Sequence, residues 1–292
     1  MLRISRKYFV LSILPAIVVF LIFLVYPLFR VLYFSFTDIR LTNPTVYHFT
    51  GFSQYLRILT DIRFLTALLR TLYFSSISVI IVLILGFVIA HLLTMEGLRK
   101  VGFFRAVILV PMLITPLVIG SVFRFMYDYD YGIINYLLMQ IGLNKIPFLS
   151  SAKWALNSAI IADAWQWTPF AALVLMSGLE SLPKEPIEAA AIDGAGWWRT
   201  FFSIKLPLLN PIIGIVVLIR FMDAFKEFDK IFIITSGGPG TSSEVISLYV
   251  YRQAFQYFNT SYSSAAGIIM LFAVSILSTF YVRLSKKINQ EV

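Results

Sequence analysis

Five stretches of this 292-residue chain run for 18 residues or more with almost no Asp, Glu, Lys or Arg. They are Tyr8 to Phe29, Thr71 to Met95, Ala106 to Phe123, Trp154 to Leu179 with only Asp163 inside, and Gln253 to Val282. A bilayer core about 30 Å thick is crossed by about 20 helical residues, so each block is a candidate span. A sixth, Leu206 to Ile219, reaches sufficient length if it continues past Arg220 to Thr235, with the intervening charges facing protein or water. Composition points the same way. The chain is 59% hydrophobic and 13% charged, with a mean hydropathy of +0.84, against roughly 45–50% apolar and about 25% charged for a soluble domain. The sequence predicts an all-α polytopic membrane protein with six transmembrane helices and argues against a soluble enzyme. With no Cys and two His, thiolate and histidine metal chemistry is not expected.

Lys and Arg in the short connections set the expected orientation. With a cytoplasmic N-terminus, twelve basic residues fall inside, among them Arg3, Arg99, Lys100, Lys184, Lys205 and Arg283, and seven outside. Both termini are therefore expected in the cytoplasm. The formal +9 is then accounted for by anionic headgroups, without nucleic acid. The expected organisation is an N-terminal span over 1–36, retained rather than cleaved, an outer loop over 37–70, and a five-span core over 71–292 that includes a loop over 180–205. In the outer loop, Ser53 to Leu69 spaces Tyr55, Leu56, Leu59, Phe64, Leu65 and Leu68 as an amphipathic helix, interfacial or packed on the bundle.

The connection Glu180 to Lys205 holds the most specific pattern. Pro183 and Pro186 punctuate its start, and Pro186 fits the first turn of a helix that runs to Asp193 and closes on Gly194 as a C-terminal cap. Glu185 and Glu188 then lie near the helix N-terminus, where the macrodipole favours negative charge. Ala189, Ala190 and Ala191 form a smooth surface that another protein can approach closely. Such a helix, tied to two spans, is suited to pass motion between a membrane bundle and a cytoplasmic partner.

These residues resemble the EAA loop of permease subunits of binding-protein-dependent ABC importers. Glu188-Ala189-Ala190 is followed by Gly194, and Ile204-Lys205-Leu206-Pro207 begins after nine further residues. Asp223 to Asp229, Thr235-Ser236-Gly237-Gly238-Pro239, Gly51-Phe52-Ser53-Gln54-Tyr55 and Val110-Pro111 extend the resemblance, toward the carbohydrate-uptake branch with its maltose, oligosaccharide and glycerol-phosphate permeases. The resemblance implies the type I importer permease fold in a bacterial or archaeal cytoplasmic (inner) membrane. It also implies a second permease, two ATPase subunits that bind ATP and Mg, and an external solute-binding protein. Glu188, Ala189, Ala190, Ala191, Asp193 and Gly194 would form the coupling helix seated in the ATPase, with Glu188 as its ion-pairing residue. The cargo would be a sugar or oligosaccharide. No Gly-Lys-Ser or Gly-Lys-Thr occurs, so ATP chemistry is expected in another subunit, and no catalytic residue, cofactor or metal is expected in this one.

Arg220, Asp223, Glu227 and Lys230 are spaced three or four apart, one helix face if the fifth span runs unbroken. Counting from Pro211 puts Arg220 near mid-bilayer, where it must meet water, substrate or an acidic partner, with Asp223 the nearest. Two readings follow: a polar strip on the translocation pathway, able to meet an acidic saccharide at Arg220, or ion pairs that hold helices or permeases together. Trp165 and Trp167, beside Gln166 and just before Pro169, are further pathway candidates. Outside the importer reading, an ion-coupled secondary transporter working alone would use the same charges as its coupling site, but it leaves the Glu-Ala-Ala loop unexplained.

Overall fold

The structure is a computed structural model that describes residues 6–45, 47–95 and 101–290. Arg3, Arg99 and Lys100 lie outside the described residues. Helix α1 runs over Arg6–Phe20, a π turn Leu21–Val25 and Tyr26–Phe34. It is followed by α2 (Ser53–Thr60), α3 (Ile62–Leu93), α4 (Val101–Leu113), α5 (Pro116–Met126), α6 (Ile133–Gln140), α7 (Ala155–Glu180) and α8 (Lys184–Ile192). Next, α9 takes Trp197–Thr200, a π turn Phe201–Lys205 and Leu206–Phe225. The chain ends with α10 (Asp229–Ile234), α11 (Ile246–Tyr251 with a π turn Arg252–Gln256) and α12 (Thr260–Gln290). The first two π turns each precede a proline. Pro27 and Pro207 offer no N–H to the carbonyl four residues back, and the wider turn accommodates the lost bond without breaking the helix.

Among the described residues, five helices are long and apolar enough to cross a membrane, and the pair α4 and α5, bent by 91°, brings the number to six when taken as one broken span. The third span, expected as one charge-free block from Ala106 to Phe123, is therefore corrected to a broken one. Pro116 forces Thr115 into an extended conformation (φ −64°, ψ 145°), because the residue before a proline is disfavoured in the helical region, and the helix breaks there. The second span begins at Ile62 instead of Thr71 and is 32 residues long, about 48 Å at 1.5 Å per residue. It absorbs the second half of the expected outer-loop helix. What remains, α2, ends at Thr60 and buries Gln54 and Ile58 while Leu56 and Leu59 stay exposed, so its packed face differs from the one read from the leucines.

The fifth span also shifts. It extends backwards to Trp197 and ends at Phe225, and the continuation to Thr235 is replaced by a separate helix, α10, after a bend at Lys226 to Phe228. Arg220 thus lies five residues from the end of its helix and not at mid-span. Helix α7 passes through Pro169 without interruption.

The chain divides into two compact units, 1–65 with 249–272 and 66–248 with 273–292. In the first, the segment after α1 is tied to the start of α12. The Leu41 N–H donates to the Phe258 carbonyl (3.0 Å), the Ser261 N–H donates to the Ile39 carbonyl (3.2 Å), and the Thr37 and Ser261 hydroxyls meet at 2.9 Å.

In the second unit, α3 and α7 pack through small residues. A Cβ on Gly86 would lie 2.7 Å from the Ala171 Cβ and 3.2 Å from its carbonyl carbon, so the two backbones touch where only a hydrogen fits. Gly86→Val should therefore lower stability by about 1–3 kcal/mol through overpacking. Thermal unfolding of the purified chain in detergent checks this, with Gly102→Val, at a position whose Cβ meets nothing within 4 Å, as the comparison that should change little.

Candidate functional site

The predicted helix after Pro183 is present as α8, with Pro183 extended at its N-cap and Asp193 at its C-cap. The Ala195 N–H donates to the Ala190 carbonyl (2.9 Å) and the Gly194 N–H to the Ala191 carbonyl (3.1 Å), a Schellman closure with Gly194 at φ +73°. A Cβ on Gly194 would meet nothing within 4 Å, so the glycine answers to its backbone angle and not to crowding within this chain. Of the residues singled out here, only Ala190 packs inward. Glu188, Ala189, Ala191, Asp193 and Gly194 are exposed, and Ile192 is 87% exposed.

An aromatic stack fastens the exit of this loop to the end of α3. Trp197 stacks on Phe201 (5.3 Å, 7°) and meets the His91 ring at 5.2 Å, while Phe201 meets Phe87 edge-on at 6.0 Å. The sequence gives His91 no metal-ligand neighbour, and its role is this ring contact. Its spacing of four from Phe87 placed both on one helical face, which was the available signal.

A buried charge cluster lies deeper in the same unit. Asp163 of α7 is fully buried; its Oδ2 accepts from Arg220 Nη2 (2.8 Å) and from the Ser78 hydroxyl of α3, and its Oδ1 lies 2.7 Å from Lys230 Nζ. Lys230 Nζ also lies 2.8 Å from Glu227 Oε2 and donates to Gln166 Oε1 (2.9 Å), so its charge is matched by two carboxylates and one amide oxygen. Gln166 Nε2 donates to the Ile114 carbonyl (2.9 Å), a backbone group released by the break between α4 and α5. Two carboxylates and two cations make the cluster neutral. Arg220 Nε and Nη1 have no hydrogen-bond partner among the described residues, and the guanidinium lies over the Trp167 ring at 4.6 Å.

The chain over residues 83–290 matches the family described as binding-protein-dependent transport system inner membrane component. It belongs to that family. Among curated relatives, the trehalose/maltose transport system permease protein MalF of Thermococcus litoralis is 35% identical over 270 residues, covering 92% of this chain and 89% of that one. The sulfoquinovosyl glycerol transport system permease protein SmoG of Agrobacterium fabrum is 30% identical over 280 residues, covering 96% and 91%. In fold, a chain of a bacterial ABC transporter involved in import of the acidic polysaccharide alginate superposes with a TM-score of 0.80 at 24% identity, over 97% of this chain and 96% of that one. Membership establishes a transport permease and leaves the secondary transporter without support.

Within this permease the expected face of four charges does not exist as one helix face. The bend after Phe225 carries Lys230 back against α7, and Arg220 pairs with Asp163, 57 positions away, instead of with Asp223. Asp223 instead pairs with Lys226 at 2.9 Å, with Lys226 largely exposed, a contact worth about 0–1 kcal/mol. Arg220 is fully enclosed, so the ion-pair reading describes its geometry. Trp165 is 44% exposed and packs edge-on against Phe123 at 5.5 Å. Ser78 and Gln166 were not picked out as site residues, because no local spacing connects them to the charges, and Lys230 was read on one face with Arg220 instead of against α7. Asp163→Asn should destabilise the permease by about 3–5 kcal/mol, since it leaves buried cations unmatched. Asp163→Leu combined with Arg220→Leu should recover most of that loss, because Lys230 keeps Glu227 and Gln166. Thermal unfolding in detergent followed by tryptophan fluorescence measures both.

Proposed function

We propose that this permease forms the membrane path of an ATP-driven importer for a sugar or oligosaccharide, working with a second permease, two ATPase subunits and an external solute-binding protein. The observation that carries the reading is the exposed α8 closed by Gly194, a preformed docking helix whose exit is stacked on a membrane span. Relatives named for trehalose, maltose and sulfoquinovosyl glycerol support a saccharide as cargo, and the lack of any Gly-Lys-Ser or Gly-Lys-Thr supports ATP and Mg binding in a partner.

In this reading the chain sits in an inner membrane with both termini cytoplasmic, and α8 enters a groove of an ATPase subunit. Ile192 fills an apolar hollow, Glu188 and Asp193 pair with basic residues, Ala189 and Ala191 allow close approach, and Ala190 seats the helix on its own chain. Trp165 and Asp223 face the pathway or the second permease. Arg220, Glu227 and Trp167 act behind them as positioning residues.

Uptake by the complete importer in proteoliposomes tests this. ATP should drive uptake of a saccharide, and an ion gradient without ATP should not. Gly194→Val should cut uptake at least about tenfold, because a β-branched residue strongly resists a positive φ, whereas Gly194→Asn, which tolerates that angle, should keep most of it. Uptake driven by an ion gradient alone would overturn the reading.

A further inference from the structure

The unit formed by 1–65 and 249–272 contains a cavity of about 470 Å³, within the range of roughly 300–1,000 Å³ typical of small-molecule sites. It is built from the connection between the first two spans and the one that leads into the last. With both termini cytoplasmic, as in the reading above, both connections fall on the external side of the membrane. Gln54 lines this cavity and is 6% exposed; its Nε2 donates to the Thr37 carbonyl (3.2 Å), and its Oε1 has no partner among the described residues. An acceptor left unpaired at such depth calls for a donor from elsewhere.

The other walls narrow what that donor is. Arg40 and Arg57 offer only N–H groups and positive charge, so they repel an ammonium and call for oxygen acceptors. Asp38 and Asp61 balance their charge, which removes any demand for an anion. Asp61 is already saturated: it accepts the hydroxyls of Tyr249 (2.6 Å) and Tyr262 (2.7 Å) and the N–H of Arg63 (2.8 Å). Burial alone would raise its carboxyl, but these bonds hold it below its ordinary range. The Tyr262 ring, with Arg57 at 5.8 Å, adds an apolar plane beside the polar groups. Groups that donate and accept at once satisfy Gln54 and the arginines together, and closely spaced hydroxyls on a ring do so.

We propose that this cavity is a saccharide subsite outside the membrane path, binding one neutral sugar ring through Gln54, Arg40 and Arg57 against Tyr262. It rests on the saccharide reading above and adds a place where the cargo is held on the external face of this chain.

The test is saturation-transfer NMR on the purified full-length chain in nanodiscs, with maltose, trehalose and galacturonate as probes, alongside ATP-driven saccharide uptake by the complete importer. Wild type should transfer signal to at least one of the neutral probes, with weaker transfer to galacturonate. Gln54→Leu, which keeps the volume and removes the acceptor, should weaken binding about three- to ten-fold. Arg57→Gln, at an exposed position that does not depend on core packing, should weaken it comparably and covers the case in which the first variant fails to fold. Undiminished binding by either folded variant, with saccharide uptake intact in wild type, overturns the subsite and leaves the transport reading standing. Stronger transfer to galacturonate than to either neutral probe overturns the neutral-ring assignment. Absence of both probe binding and saccharide uptake in wild type overturns both.

Discussion

A carboxylate buried in an apolar helix costs several kcal/mol unless its charge is matched, and Asp163 is matched by two cations from two further helices. Arg220 ties α9 to α7, Lys230 ties α10 to α7, and the Ser78 hydroxyl brings in α3. Gln166, three residues along on α7, then joins Lys230 to the carbonyl of Ile114. That carbonyl is free because Pro116 breaks the third span, so one polar network satisfies both the charges and the damaged backbone. A right-angle bend in apolar surroundings is tolerable only where protein supplies such a partner.

The same helices lead to the loop that meets the cytoplasmic partner in our proposal. Helix α7 runs from the charge cluster to Glu180, four residues before α8 begins, and α9 returns from Trp197 to Arg220. The stack of His91, Trp197 and Phe201 fastens the loop's exit to α3. In that proposal a push on α8 reaches helices whose other contacts converge on Asp163. The exposed face of α8 and the open surroundings of Gly194 leave the proposed docking surface clear of this chain's own residues.

Much of this was legible in the sequence where the physics is local. Charge-free blocks located six spans, and Pro183, Pro186 and Gly194 bounded α8 because each acts on its own backbone. Blocks defined by charge misplaced the ends of spans two and five, since Arg63, Arg70, Arg199 and Lys205 all lie within the continuous helical segments that form these spans. Thr115-Pro116 carried the signal for the broken third span, hidden within an apolar run. Arg220 announced that it needed a partner, yet its pairing with Asp163 across 57 positions and the return of Lys230 after a bend are tertiary facts that no helical period encodes. The orphaned Gln54 oxygen was equally invisible, because it depends on which face of α2 packs inward.

The central claim is that this is a membrane permease whose docking loop and whose opposite connections face different compartments. Because the chain has no Cys of its own, single variants Ser150→Cys and Ala191→Cys, both at exposed positions, can be labelled with a membrane-impermeant maleimide in oriented vesicles. The account predicts that position 150 reacts only from the external side and position 191 only from the cytoplasmic side. Reaction of both from the same side would contradict it.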